Sequence, residues 1–247
     1  METCLSPAII MRIKEFGESD LLVTFFTPDK GQQKGVAKGA RKSRKRFVNC
    51  LDLFSLVNLE YRTKKEHDLC LLNSAKLVDA YPGIRRDFSA LSRASYMIEL
   101  TGILFPSGVA DREVFALLKR SLKWLADEPA DGLCHIAFEA RVMALGGYKI
   151  ALDKCCICGR TFTGRGMGVF KKEKGGIACL NCEKPSRLAP SMRPESINLL
   201  GQMQSGLFEA GERPGSIGEI IEDIKSVLKL HREYRLDTRP KTACYLE

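Results

Sequence analysis

The chain has 247 residues, 45% of them hydrophobic and 28% charged, with a formal net charge of +9. Such an apolar share excludes disorder by composition and suffices for one large domain or two to three small ones, while the basic excess attracts nucleic acid or an anionic surface and says nothing of fold. No run approaches the roughly 18 to 20 apolar residues needed to cross a bilayer, and Met1 is followed by Glu2 in place of a basic start, so a cytoplasmic protein without a membrane partner is expected.

The first eighty residues read as β. Leu5 to Phe16 alternates in its second half, Leu21 to Phe26 is a buried-strand run, and Pro28 to Gly31 is a turn by composition. A short run from Gln32 to Ala37 follows, then "VAKGARKSRKRF" (Val36 to Phe47), then Leu53 to Tyr61 and Leu69 to Tyr81. Five strands at this spacing suit a small closed barrel of the OB type, although an SH3-like barrel gives the same count. The basic segment joins the third strand to the fourth, and Arg41 to Phe47 contains five cations and no acid. It is either a solvated loop or a surface that lies along a polyanion.

The period then changes. Asp87 to Pro106, Asp111 to Pro129 and Ala130 to Tyr148 each carry apolar residues at helical spacing, the last stopped by Gly146 and Gly147, and together predict a helical bundle of three. Two more helices are expected at Pro194 to Phe208 and Ser216 to Leu236, the second patterned by Ile217, Ile220, Ile221, Ile224, Val227, Leu228 and His231. The fold class expected is therefore α+β and multidomain: a barrel over 1–80, and a helical domain over 81–247 interrupted at about 153–185.

That interruption holds the cysteines. Cys155, Cys158, Cys179 and Cys182 form two CxxC pairs twenty residues apart, and two such knuckles supply the four thiolates of one tetrahedral structural zinc ion. A redox dithiol and an iron–sulfur cluster are the alternatives. Gly159 suits a knuckle whose amides tilt toward the sulfurs. Cys156 in place of Cys155 would give the rarer CxC chelate. Four thiolates leave no open position for water, which argues against a catalytic metal. The stretch between the pairs is too short and polar to hold itself together without an ion. Cys4, Cys50, Cys70, Cys134 and Cys244 are expected as small buried hydrophobes.

No phosphate-binding loop, dinucleotide fingerprint, HExxH or GxSxG occurs, and His67, His135 and His231 sit in ordinary strand-end or helical patterns. Gly17 to Asp20 reads as a turn. Nothing nominates an active site, so a non-enzymatic protein is expected.

The order of features is more specific than any one of them. The "FGESDLLVTFFTPDKGQQKGVAKGARKSRKRF" stretch (Phe16 to Phe47), the "YPGIRRD" junction (Tyr81 to Asp87), the cysteine pairs and the "VLKLHREYRL" ending (Val227 to Leu236) together resemble the RecO family of bacterial recombination mediators over essentially the whole chain. The resemblance implies an N-terminal OB fold that binds single- and double-stranded DNA and anneals complementary strands. It implies help, with RecR, in loading RecA onto strands coated with single-strand-binding protein, in the bacterial cytoplasm beside the nucleoid. It also implies that Cys155, Cys158, Cys179 and Cys182 place the chain among the members that carry zinc.

On such a barrel the basic loop would follow a phosphate backbone, with Lys34, Lys38, Arg41, Lys42, Arg44, Lys45 and Arg46 supplying charge and Phe47 and Tyr61 the nearest rings. The acidic, hydrophobic tail of single-strand-binding protein would need an apolar groove edged with cations. Arg112, Lys119 and Lys123 share a helix face near Leu122 and Trp124 and are the first candidates, with Lys225, Lys229 and Arg232 next. A zinc-ribbon RNA-binding or transcription-associated protein would show the same charge and cysteines.

Overall fold

The computed structural model describes residues 2–63, 69–208 and 217–246. The chain divides into two compact units, Met1–Asp131 with Pro240–Glu247, and Gly132–Arg239.

In the first unit, five strands close into a barrel: β1 (Glu2–Phe16), β2 (Asp20–Thr27), β3 (Gly31–Ala37), β4 (Leu56–Thr63) and β5 (Cys70–Asp79), in the order β1-β2-β3-β5-β4. Closure depends on the length of β1. Its first half pairs with β4 (Glu2 opposite Thr63, Ile9 opposite Leu56) and its second half with β2 (Ile9 opposite Phe26, Phe16 opposite Asp20), with a register shift between Ile10 and Arg12. An irregularity of this kind bends and twists a strand, and that lets one strand serve both edges. On the far side β3 and β5 pair in parallel at Gly35–Cys70 and Val36–Leu71. Gly35 is required there, since a Cβ would lie 2.6 Å from the Leu72 side chain. Ile10, Val23, Phe25, Leu59, Tyr61 and Leu72 fill the interior, with Phe25 and Tyr61 edge to face at 5.4 Å between ring centres.

The fourth strand begins later than the pattern suggested. Leu53 and Phe54 lie in a turn where Phe54 adopts φ +70°, its amide donating to the Ile10 carbonyl at 2.8 Å and its ring buried. An apolar run does not distinguish a strand from a buried turn.

The YPGIRRD stretch is a structural clasp. Tyr81 is buried in the left-handed region at φ 46°, and a Cβ on Gly83 would fall within 1.9 Å of the Ala126 carbonyl oxygen. The Arg85 guanidinium donates to the carbonyls of Ala80 and Leu53 and pairs with Asp52 at 3.3 Å. Asp87 caps α1 (Phe88–Leu104) by accepting from the Ala90 amide at 2.7 Å, and Asp111 caps α2 (Arg112–Asp127) through Val114 at 3.0 Å. The segment Lys241–Tyr245 completes the unit, its amides at Lys241 and Thr242 donating to Glu99 at 3.0 and 2.8 Å.

The three consecutive helices expected as one bundle are divided. The first two belong to the barrel's unit, while α3 (Leu133–Met143) packs with α4 (Pro194–Ser205) and α5 (Ile217–Arg235) in the second. The expected start at Ser216 lies outside the described residues. After α3 the backbone makes one wider turn over Ala144–Tyr148, left by Gly147 at φ 88°. Helical periodicity reports which face is buried, not against which neighbour. Two buried polar links fix this unit. Arg232 on α5 donates to Glu139 on α3 at 2.7 Å, and the Gln204 amide brackets Ile150, accepting from its N–H at 2.7 Å and donating to its carbonyl at 3.2 Å.

Candidate nucleic-acid interface and metal centre

The basic segment between β3 and β4 is fastened at its small and apolar residues. Ala40, Phe47 and Cys50 are buried and join the barrel core. The Gly39 amide donates to Asp20 at 2.8 Å, the Arg41 amide to the Ser19 carbonyl at 3.0 Å, and the Arg46 carbonyl accepts from the Ala75 amide on β5 at 2.9 Å. Ser43 Oγ accepts from the Arg46 and Phe47 amides, closing a turn. All seven expected cations are exposed, Lys34 on β3 and Lys38, Arg41, Lys42, Arg44, Lys45 and Arg46 along the segment. No acid occurs from Lys30 to Leu51 to offset them.

Two of the seven are partly engaged at home. Arg41 pairs with Glu15 at 3.1 Å and reaches the Glu18 carbonyl, and Arg46 donates to the Lys38 carbonyl at 2.6 Å while lying 5.3 Å over the Phe47 ring. Among the described residues the side chains of Lys34, Lys38, Lys42, Arg44 and Lys45 have no such partner. The nearest rings turn inward. Phe47 is 5% exposed and Tyr61 1%, and burial pushes the Tyr61 hydroxyl up to about 12. Both face the core because strand alternation and loop anchoring place them there; neither presents a stacking face. Of the anchors, burial was expected for Cys50, whereas Ala40 and Phe47 were missed, although Phe47 standing apolar at the end of a basic run was the available signal.

The four thiolates converge. Cys155, Cys158, Cys179 and Cys182 place their sulfurs within 4.8 Å of one another, and Cys158 and Cys179 are 3.9 Å apart. A tetrahedron with zinc–sulfur bonds of about 2.3 Å has sulfur–sulfur edges of about 3.8 Å, so the set fits one ion of that size. In the first knuckle the Cys158 amide points at Cys155 Sγ at 3.5 Å, while the Gly159 amide, at φ +74°, bonds the Cys155 carbonyl at 3.0 Å and not a sulfur. The second knuckle closes through the Cys182 and Glu183 amides onto the Cys179 carbonyl at 2.9 and 3.1 Å. Burial pushes the Cys155 thiol up, but amides of Cys158, Cys179 and Ile157 outweigh it and hold the group at about 6, favouring the thiolate a metal needs. Contacts with the other sulfurs, Cys179 first, push Cys182 up to about 12. Cys156 stands outside the cluster, its amide bonded to the Ile177 carbonyl at 2.8 Å and its thiol raised by burial.

The segment between the knuckles has structure of its own. β6 (Gly168–Lys171) and β7 (Gly176–Cys179) form a hairpin, and β8 (Ser191–Met192) adds to β6. Val169 and Phe170 of β6 and Ile177 and Ala178 of β7 are buried, so both faces of the hairpin are covered. Four-residue strands in a glycine-rich sequence fall below what alternation can reveal.

Other expected positions are altered by packing. Arg112 is exposed but bound to Asp29 at 2.7 Å, Lys123 to Asp127 at 2.9 Å, and Lys119 is exposed beside them. Leu122 is wholly buried and so rims no groove with the cations, while the half-buried Trp124 donates to Asp131 at 3.2 Å. Of the second set, Lys225 and Lys229 are exposed, whereas Arg232 is buried against Glu139. Cys50, Cys70 and Cys134 are buried as expected, Cys4 is half-buried, and Cys244 is exposed. His231 is buried with Nε2 2.8 Å from the Tyr148 carbonyl, His135 lies half-buried on α3, and His67 lies outside the described residues.

Two family models divide the chain between them: Recombination protein O N terminal matches residues 1–81, and Recombination protein O C terminal matches residues 85–243. The chain belongs to the RecO family. Among relatives, the DNA repair protein RecO of Desulfatibacillum aliphaticivorans is 33% identical over 251 residues, covering 100% of this chain and 97% of its own. That of Geobacter metallireducens is 35% identical over 211 residues, covering 85% and 84%. That of Syntrophotalea carbinolica is 36% identical over 182 residues, covering 74% and 70%. Both the barrel and the cysteine cluster of this RecO-family chain fall inside the matched ranges. Among the described residues no helix is long and apolar enough to cross a membrane.

Proposed function

We propose that this chain is a DNA-binding recombination mediator in recombinational repair, which anneals complementary single strands and, with RecR, assists RecA loading onto strands coated with single-strand-binding protein. Family membership supports the repair role, and the relatives bear the name DNA repair protein. The observation that carries the binding reading is the fastened basic loop, whose cations stand exposed on a barrel with no acid among them. A pre-shaped cationic loop releases counterions on meeting phosphates without first losing much chain entropy. The strand order β1-β2-β3-β5-β4, closed by β1, supports an OB-type barrel over 1–80.

Zinc is the ion proposed for Cys155, Cys158, Cys179 and Cys182, in a structural role, because four thiolates of tetrahedral spacing leave no open position. It would tie the two knuckles across a short, glycine-rich hairpin. No bond-breaking step is assigned to the chain, and it is proposed to act in the bacterial cytoplasm, at the nucleoid. Single- and double-stranded DNA, RecR and the acidic tail of single-strand-binding protein are the proposed partners. For that tail the face bearing Arg112, Lys119 and Lys123 remains the proposed edge, with its apolar part supplied by residues other than Leu122.

The test is annealing of complementary oligonucleotides coated with single-strand-binding protein. The wild-type chain is expected to accelerate it. Replacing Arg41, Lys42, Arg44, Lys45 and Arg46 together with Gln is expected to lower affinity for all sequences alike, and to flatten log affinity against log salt by about 0.7 to 0.9 per lost contact. Binding of RNA without annealing of DNA would favour the zinc-ribbon RNA-binding reading, and an unchanged salt slope would overturn the placement of the interface.

A further inference from the structure

The metal-bearing unit has a surface that the barrel reading does not use. Beside the knuckles lies a cavity of about 410 Å³, within the size range of small-ligand sites. Its floor is Gly168, Ile177 and Ala178 of the β6–β7 hairpin, and its walls are Phe162, Met167 and Leu180. Met167 and Leu180, 41% and 46% exposed, leave an apolar rim open to solvent. Arg160 and Arg165 also line it, both exposed, and among the described residues neither guanidinium has a hydrogen-bond or ion-pair partner. No acid lines the cavity.

The segment that carries it is basic along its length. From Lys149 to Arg193 the sequence holds ten lysines and arginines against three acids. Two exposed arginines on one apolar hollow, in a basic segment, suit a ligand that is anionic along its length and apolar at intervals, which describes a single strand of nucleic acid. Asn181, also on the lining, offers both donor and acceptor to a base edge.

The geometry points to a second nucleic-acid site, in which an unstacked base enters this pocket against Phe162, Met167 and Leu180 while Arg160 and Arg165 hold the neighbouring phosphates. The inference rests on the DNA-binding reading above and adds to it. Two strand-binding surfaces on one polypeptide would let it hold two strands at once, which annealing requires. Cys155 and Cys179 contribute to the lining, so the pocket takes its form from the knuckles that the ion would join.

The experiment uses the full chain and an oligo(dT) carrying 5-iododeoxyuridine, with anisotropy for affinity and mass mapping of photocrosslinks. Lys42→Ala/Arg44→Ala/Lys45→Ala is expected to leave crosslinks within residues 160–181. Adding Arg160→Glu/Arg165→Glu is expected to remove them and to lower the salt slope by about 1.4, at about 0.7 per lost single-strand phosphate contact. In the otherwise native chain, Phe162→Leu is expected to weaken binding roughly fivefold or more, as loss of a stacking ring does. Both arginines are exposed, and retained metal content and melting temperature report that the fold survives. Crosslinks confined to the barrel loop, with affinity indifferent to Arg160→Glu/Arg165→Glu, would overturn this site and leave the DNA-binding reading standing. No binding of the oligonucleotide by the wild-type chain would overturn that reading itself. Protection of Met167 and Leu180 by an acidic peptide, with no crosslink from the oligonucleotide, would make the pocket a peptide site and overturn the inference.

Discussion

Phe47 separates two physical roles that a ring in a DNA-binding loop can have. It is 5% exposed, packs into the barrel core and lies 5.3 Å beneath the Arg46 guanidinium. If it is an anchor, Phe47→Leu trades one large apolar side chain for another and costs less than about 1.5 kcal/mol of packing. Loss of the cation–π contact at this exposed arginine adds about 0.5 to 1 kcal/mol. The expected total is between about 0.5 and 2.5 kcal/mol of stability, read as a lower denaturant midpoint with an unchanged slope. DNA affinity should change by less than about twofold at fixed salt, because the Arg46 carbonyl still holds the loop to Ala75. If Phe47 instead stacked on a base, its loss would cost about 1 to 3 kcal/mol of binding, roughly fivefold to over a hundredfold. Anisotropy titration and urea unfolding of the same variant decide between them: affinity reduced at least fivefold with stability unaltered would refute the anchoring argument. Phe47→Ala, by contrast, should cost about 3 to 5 kcal/mol of stability.

Elemental analysis should find about one zinc per chain; Cys179→Ser should lose it and Cys156→Ser keep it, and metal loss in the Cys156 variant would overturn the ligand set. Glu139→Ala removes the carboxylate that the buried Arg232 guanidinium donates to and should cost about 3 to 5 kcal/mol, whereas Glu139→Leu/Arg232→Met should recover much of it, as read by thermal unfolding. His231 is held below its usual pKa by burial, against a raising effect of the Tyr148 carbonyl, so the unfolded chain binds the proton more readily. Its contribution to stability is therefore present above about pH 6.5 and lost as pH falls below it, and His231→Gln should flatten unfolding free energy against pH between about 5 and 7.

Local chemistry was legible in the residues themselves. The alternation late in β1, the continuous apolar run of β2 and the 3.6-residue stripe of α5 all follow from backbone geometry, which acts over a few residues. The two CxxC pairs were legible for the same reason, since each knuckle is a local turn, and only their meeting within 4.8 Å is long-range. Contacts between distant segments were decided by the tertiary structure. It turned Phe47 and Tyr61 inward, gave Arg112 to Asp29 and Arg232 to Glu139, and put α1 and α2 in one unit and α3 in the other. Sequence pattern determines that a side chain is apolar or charged and which face of its element it occupies. Which partner meets that face depends on packing between segments as many as 143 residues apart, and that packing determines whether a cation is left free for phosphate or neutralised by a carboxylate of its own chain.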